Sequence, residues 1–101
     1  MDEAFLHCYP EVAKTSGAVL TTCLIVGKML YCVNLGDCRA VIFRDGKALN
    51  LSVDHKATLP TEVERIKKLG GFVYGGRIFG RLAVSRAIGD YDLKKQKDEN
   101  N

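Results

Sequence analysis

The sequence predicts an α+β fold, an antiparallel meander of β-strands with flanking helices. Three two-residue turn signals, each between runs of strand-forming residues, predict consecutive hairpins: Gly27-Lys28, Asp45-Gly46 and Gly75-Gly76. Apolar residues at helical spacing in residues 2–14 and 60–69 predict the flanking helices. With 101 residues, the chain is long enough for one domain at most.

The first predicted helix covers residues 2–14. Phe5, Cys8 and other apolar residues fall near one of its faces. Pro10 has no backbone N–H and its ring clashes with the preceding turn, so the helix is expected to break or bend in its middle. Ser16-Gly17 ends the element.

The next part of the chain predicts two hairpins. Thr21–Val26 and Met29–Leu35 are apolar on both pleat faces, a pattern typical of central strands that are covered on each side. Arg39–Phe43 and Lys47–Val53 flank the Asp45-Gly46 turn, and the second of these runs alternates apolar with polar residues. One face of that hairpin is therefore expected to contact solvent.

The second half of the chain predicts a helix, a third hairpin and a short helical turn. Pro60–Leu69 is amphipathic and is followed by a glycine suited to the left-handed conformation that ends many helices. Phe72–Tyr74 and Arg77–Phe79 are the strands around the Gly75-Gly76 turn. Leu82–Ile88 has apolar residues at helical spacing and is predicted as a helical turn.

Charge and composition narrow the classes of partner. The net charge of +3 derives mainly from lysines near the C-terminus, without the basic face and interleaved aromatics of a nucleic-acid binder. No stretch approaches the ~20 apolar residues of a membrane span. Neither nucleic acid nor a membrane is therefore expected as a partner. Residues 94–101 lack an apolar anchor and are predicted to be a disordered polar tail after a domain of residues 1–93.

The four cysteines, at positions 8, 23, 32 and 38, include no C-x-x-C pair and no spacing typical of a metal finger. Cys23 and Cys32 lie inside apolar runs, where a free cysteine behaves as a small hydrophobe. The sequence therefore predicts reduced structural thiols in a cytoplasmic protein, with the nucleus as the alternative location.

Six short elements occur in one order along most of the chain. They are Asn34-Leu35-Gly36-Asp37-Cys38-Arg39, Asp54-His55-Lys56, Glu64-Arg65-Ile66 with Gly70-Gly71, Arg77-Ile78-Phe79-Gly80, Leu82 to Asp90, and Lys94. In order and approximate spacing they resemble the metal-dependent type 2C family of Ser/Thr protein phosphatases. The resemblance implies that the strands and helices are part of an α-β-β-α sandwich.

The resemblance also implies an activity. In the family, Mg²⁺ or Mn²⁺ ions activate a water that attacks the phosphorus of phosphoserine or phosphothreonine in a phosphoprotein. The family's D-G-H-G-G, S-D-G and D-N elements, which carry further metal ligands, do not occur in the 101 residues. The chain is therefore expected to be a central part of the domain, without activity by itself, and no catalytic residue is assigned.

Asp37 is the candidate metal ligand. By resemblance it matches the family's aspartate at an additional, weaker metal site beside the paired catalytic ions. Mg²⁺ and Mn²⁺ prefer several oxygen ligands, so a single carboxylate is expected to hold either ion weakly or not at all in this chain. The alternative is an aspartate that caps its own turn by accepting a backbone N–H.

A substrate flap is implied for the segment between Lys56 and Arg81, with Asp54, His55 and Lys56 at its opening and Arg77 within it. An acid–base role for Asp54-His55 is the less favoured interpretation, because no nucleophile stands at a recognisable spacing. A turn with a hydrogen-bonded imidazole is favoured instead. The glycines of residues 70–80 fit hairpin turns better than a phosphate-binding loop.

Ser85, Arg86 and Asp90 are predicted to be structural residues flanking the cleft. No G-x-S-x-G element surrounds Ser85, and the family's attacking group is a metal-bound water, so a nucleophilic role is not assigned. Arg86 and Asp90 stand four residues apart and could pair on a helical turn.

Two interpretations of function stay open. The first is a part of a Ser/Thr phosphatase domain; the second is a non-catalytic regulatory or binding domain on the same scaffold. D-G-H-G-G and D-N elements in the flanking coding sequence would distinguish them. Because the doubly apolar strands lack some of the segments expected to cover them, self-association, most simply as a homodimer, is also predicted. A self-sufficient monomer is the alternative.

Overall fold

The computed structural model describes residues 1–94 and confirms an α+β fold. The helices are α1 (Asp2–Cys8), α2 (Pro10–Thr15), α3 (Pro60–Lys68) and α4 (Tyr91–Lys94). The strands are β1 (Gly17–Ala18), β2 (Leu20–Val26), β3 (Met29–Leu35), β4 (Val41–Arg44), β5 (Lys47–Asn50), β6 (Val73–Tyr74), β7 (Arg77–Ile78) and β8 (Ile88–Gly89).

The strands pair in twos and all pairs are antiparallel. β2 pairs with β3, β4 with β5, β6 with β7, and β1 with the distant β8. Within residues 1–94 the predicted meander therefore does not continue as one ladder from β3 to β4. Each predicted hairpin turn is present at its predicted position.

The turn residues have the backbone conformations that their sequences predict. Gly27 has φ +58° while Lys28 does not have a positive φ, which is the pattern of a type II′ turn. Asp45 and Gly46 have φ of 52° and 74°, the pattern of a type I′ turn. These turn types match the twist of the flanking strands, and this is why two-residue loops close the hairpins.

The predicted N-terminal helix breaks before Pro10. Tyr9, with φ −136° and ψ 63°, separates α1 from α2, and Pro10 opens α2 at a position where its missing N–H costs nothing. Ala13 is fully buried on the inner face of α2. α1 and α2 both pack against β8, and α2 also packs against α4.

The hydrophobic core is small and lies under α3. Ala57, Ile66 and Ile78 are its buried members, and the side chains that pack around them are half-buried: Val73, Phe79 and Leu82. Phe72 and Phe79 meet edge to face with ring centroids 4.8 Å apart. This arrangement joins α3 to the β6–β7 hairpin. Leu69, the last residue of the predicted helix, lies beyond the end of α3 and is exposed.

The two larger hairpins are exposed. Ile25 of β2 and Phe43 of β4 leave 73% and 77% of their surface in solvent, and most apolar neighbours in β2 and β3 are also exposed. Coverage on both faces, which the sequence pattern predicts, is therefore absent from residues 1–94 of this structure. The radius of gyration is 16.0 Å. A compact domain of this length has about 13 Å.

The predicted helical turn at Leu82–Ile88 is wrong. The segment is extended and pairs with distant backbone: Ala57 N donates to Ala83 O and Ser85 N donates to His55 O, both at 2.9 Å. Its last residue, Ile88, begins β8. The apolar spacing of this short run fits either structure, and the partners come from other parts of the chain.

Lys94, predicted to begin the disordered tail, is the last residue of α4 and is held by hydrogen bonds to Asp2 and to Ala87 O, each 2.8 Å. The rest of the predicted tail lies outside the described residues. No helix within residues 1–94 is long and apolar enough to cross a lipid bilayer.

Candidate functional site

The turn after β3 is fixed by the amide of Asn34. Thr21 Oγ1 donates to Asn34 Oδ1 across the β2–β3 pair at 2.5 Å. Asn34 Nδ2 donates to Val53 O at 2.9 Å and to Gly36 O at 3.2 Å. One side chain therefore connects the end of β3 to the segment that follows β5.

Gly36 and His55 are joined by two reciprocal hydrogen bonds. The backbone N–H of Gly36 donates to His55 Nδ1 at 3.0 Å, and the N–H of His55 donates to Gly36 O at 2.8 Å. Because Nδ1 accepts a hydrogen bond, the neutral ring carries its proton on Nε2. Gly36 has φ +104°, and a side chain there would collide with Val19, so this contact requires glycine. The imidazole is hydrogen-bonded within a turn, which is the favoured sequence interpretation.

Asp37 is the residue after Gly36, and it is exposed. Within the described residues its carboxylate accepts no hydrogen bond, so the alternative in which Asp37 caps its own turn is not observed. In the same part of the chain no three His, Cys, Asp or Glu side chains come together in a group that could hold a metal ion. Asp37 thus offers a single carboxylate, and these residues alone do not form a complete site for Mg²⁺ or Mn²⁺.

Asp54 pairs with two basic side chains. Arg39 Nε and Nη2 donate to its two carboxylate oxygens at 3.1 and 2.8 Å, and Lys56 Nζ lies 3.7 Å from Oδ2. The hydrogen bonds from Arg39 hold the pKa of Asp54 below its usual value. An open groove of about 520 Å³ lies beside this cluster, lined in part by Arg39, Asp54, Lys56 and Pro60.

A second charged cluster holds α3 in place. Glu62 is only 5% exposed, and its carboxylate accepts hydrogen bonds from Arg86 Nη2 and from Arg65 Nη2, each 2.8 Å. Arg65 also donates to Ser85 O at 2.9 Å. The bonds from Arg86, followed by those from Arg65, outweigh burial and hold the pKa of Glu62 well below its usual range. Arg86 therefore pairs with Glu62, not with Asp90 as predicted.

Within residues 1–94, none of the remaining predicted site residues is hydrogen-bonded to the carboxylate of Asp37. Ser85 is buried beside α3, and Asp90, with φ +51°, places its carboxylate against Gly17 where a side chain at position 17 would collide with it. Arg77 donates to Arg81 O at 3.0 Å, so its guanidinium contacts the backbone of its own segment. The structure brings Asp37 and His55 together through Gly36, and it does not bring Arg77 into that contact.

Comparison with known proteins identifies the family of the chain. The family model described as Protein phosphatase 2C matches residues 2–100, nearly the whole chain. The chain belongs to the protein phosphatase 2C family.

Curated relatives of this protein phosphatase 2C chain occur in several organisms. Probable protein phosphatase 2C 21 of Arabidopsis thaliana is 51% identical over 83 residues, which are 82% of this chain and 23% of that protein. Probable protein phosphatase 2C 6 of Paramecium tetraurelia is 47% identical over 85 residues, 84% of this chain and 29% of the relative. Protein phosphatase 2C homolog 2 of Hypocrea jecorina is 45% identical over 97 residues, which are 96% of this chain and 22% of that protein. The chain therefore spans less than a third of the relatives that it matches.

Two important residues of this phosphatase 2C chain are missed by sequence reasoning. No role for Glu62 is predicted from the sequence, although it stands four residues before Ile66 and so shares the buried face of the helix. This four-residue spacing is the feature of the sequence that could have predicted the burial of Glu62. Arg39 is recognised in the sequence only as part of a motif. Its bidentate bond to Asp54 could not be predicted, because it forms only when two loops 15 residues apart in sequence come together.

Proposed function

We propose that this chain forms the central part of a protein Ser/Thr phosphatase domain, in which residues 56–81 are the flap that borders the cleft. The observation that carries the proposal is the pair of hydrogen bonds between Gly36 and His55. It supports the proposal because it joins His55, which we assign to the opening of the flap, to the turn that carries Asp37. Membership in the phosphatase 2C family supports the reaction class.

The roles of the chain's residues follow from their contacts. Arg39 and Asp54 hold the two loops around the groove together, and Lys56, whose side chain is half exposed, lines that groove. A phosphoserine or phosphothreonine of a phosphoprotein carries nearly two negative charges at neutral pH, which complements an exposed cation at the rim. Glu62 and its two arginines have a positioning role in this proposal, because they hold α3 in place and α3 is part of the flap.

Mg²⁺ or Mn²⁺ belongs to this proposal at the level of the whole domain, where such ions supply an activated water. Within residues 1–94, Asp37 is the carboxylate that would contribute to holding such an ion. The isolated chain is proposed to bind either ion no better than about millimolar, as one carboxylate among waters would. We also propose that the isolated chain hydrolyses p-nitrophenyl phosphate with Mn²⁺ only at the background rate. A cytoplasmic location of the protein is a further part of the proposal.

The test is a chimera. The 83 matched residues of the Arabidopsis thaliana relative are replaced by those of this chain, and Mn²⁺-dependent hydrolysis of a phosphothreonine peptide is measured. We expect activity in the chimera and a loss of at least tenfold at limiting Mn²⁺ on Asp37→Ala. Glu64→Gln, which removes an exposed carboxylate from α3, is the matched control and should leave the rate unchanged.

The second candidate, a non-catalytic binding domain on the same scaffold, makes the opposite prediction. A folded chimera that binds the phosphopeptide but does not hydrolyse it would favour this alternative. Equal rates for Asp37→Ala and Glu64→Gln would remove Asp37 from the proposal.

A further inference from the structure

Two cysteines face each other in the β2–β3 hairpin. Cys23 and Cys32 are direct partners in the antiparallel register, and both are free thiols. Cys23 is exposed and Cys32 is half-buried, so both lie outside the small core under α3. Both thiols are therefore accessible from solvent to some degree.

The position of this pair in the ladder brings the thiols close. Val26 and Met29 close the two-residue turn, and such a closing pair is of the hydrogen-bonded kind. Hydrogen-bonded and non-hydrogen-bonded pairs alternate along an antiparallel ladder. Cys23 and Cys32 are the fourth pair from the turn and are therefore a non-hydrogen-bonded pair.

Non-hydrogen-bonded partners have the closer side chains, with Cα atoms about 4.5 Å apart. That separation falls inside the range that a disulfide can span, roughly 4.4 to 6.8 Å. The Thr21–Asn34 pair, two positions farther along and of the same kind, shows the closeness directly because its side chains are hydrogen-bonded at 2.5 Å. Burial raises the pKa of Cys32, and the adjacent thiol of Cys23 raises it further.

We propose that Cys23 and Cys32 form a reversible cross-strand disulfide, a redox modification site in the β2–β3 hairpin. The oxidant is a small-molecule disulfide of the glutathione type. The Cys23 thiolate attacks one of its sulfurs, which forms a mixed disulfide and releases one glutathione thiolate. Cys32 then attacks the sulfur of Cys23, which closes the protein disulfide and releases the second glutathione. Two protein thiols are oxidised, one glutathione disulfide is reduced to two thiols, and these take up the two protons.

This modification fits a reducing compartment. Disulfides in cytosolic proteins are usually transient and redox-sensing, and exposed disulfides are more easily reduced than buried structural ones. A bond across β2 and β3 locks the register of the hairpin. The same register aligns Thr21 with Asn34 and so positions the turn that carries Asp37.

The experiment uses the full chain with the Cys8→Ser and Cys38→Ser substitutions, which leave only the proposed pair. The protein is incubated with excess glutathione disulfide, free thiols are blocked with iodoacetamide, and the intact mass is measured. We expect most molecules to lose two hydrogen atoms and to carry no glutathione. The rate should be independent of protein concentration, and dithiothreitol should reverse the change.

The matched control carries Cys23→Ser and Cys32→Ser and retains Cys8 and Cys38. Its intramolecular disulfide should form at least tenfold more slowly, and a single Cys23→Ser change in the test protein should leave only a glutathione adduct. Glutathione adducts without ring closure, disulfide-linked dimers that increase with concentration, or equal rates for the test and control proteins would each overturn the proposal.

Discussion

The β2–β3 hairpin and the unit around α3, residues 54–89, use their side chains in opposite ways. β2 and β3 contain no charged residue, yet most of their side chains are exposed. α3 contains five charged residues among nine, yet it covers the buried core of the described chain. Burial here follows from having a packing partner and not from hydrophobicity alone. The unit around α3 is therefore already packed, whereas the β2–β3 hairpin presents an apolar surface to solvent.

The largest expected effect comes from the buried carboxylate of the packed unit. Glu62→Gln keeps the shape of the side chain but leaves Arg65 and Arg86 without their anionic partner. Both arginines are partly exposed and can be rehydrated, so we expect a loss of about 2 kcal/mol in the free energy of unfolding, below that of a fully buried pair. Urea denaturation measures it. Glu64→Gln on the exposed side of α3 should change stability by less than about 0.5 kcal/mol.

Self-association should arise from the hairpin. Exposed apolar faces and unpaired strand edges favour pairing with a second chain. Sedimentation velocity over a hundredfold concentration range, with a reducing agent present, should show a concentration-dependent increase in size. Ile25→Lys should raise the dissociation constant at least tenfold, equivalent to about 1.4 kcal/mol.

Glu64→Gln changes the net charge by the same amount as Ile25→Lys and is the matched control for that experiment. It should leave the dissociation constant unchanged. A single monomeric species for the unmodified chain at every concentration would show that the hairpin surface does not associate.

A matched pair of conservative substitutions measures packing directly. Ile78 is 8% exposed and Ile25 is 73% exposed. Ile78→Val should cost about 1 kcal/mol because it removes a methyl group from the core. Ile25→Val, measured at the lowest protein concentration, should cost close to nothing. Similar costs for both changes would mean that the hairpin is packed in solution.

The smallest effect is expected in the dependence of stability on pH. The folded pKa of Glu62 is depressed from an ordinary value of 4.5, so its contribution is fully present above that pH and declines as the pH falls toward the lowered folded value. Urea midpoints should therefore decrease below pH 4.5 in the unmodified chain. The decrease should be smaller in Glu62→Gln, with the remainder due to Asp2 and Asp54, whose pKa values are also lowered. Parallel curves for the two proteins would exclude this role for Glu62.

Local features of the fold could be predicted from the sequence because local residues determine them. The turn at Asp45-Gly46 requires only two residues that accept positive φ, and the break at Pro10 requires only a missing N–H. Leu82–Ile88 could not be predicted, since its structure is set by backbone groups of His55, Ala57 and β1 that are far away in sequence.

The candidate site also has features that local sequence predicts and features that depend on distant residues. The motifs place Asp37 and His55 in separate elements, and only the folded chain shows that Gly36 connects them. The pairing of Arg86 with Glu62 spans 24 residues, whereas the carboxylate of the nearer Asp90 lies against Gly17. Sequence spacing favoured the near partner because it assumed a helix that does not form.

The hydrogen bonds of Asp2 have a consequence for the order of folding. Asp2 accepts from the backbone N–H of Gly89 at 2.7 Å and from Lys94 at 2.8 Å, so these bonds close loops of nearly the whole chain. Closing a long loop costs more entropy than closing a two-residue turn, so the hairpins should form first and this contact last. Asp2→Asn should then accelerate unfolding while leaving the refolding rate almost unchanged, as stopped-flow kinetics would show. An equal slowing of refolding would place the contact of Asp2 early, before the chain has acquired most of its structure.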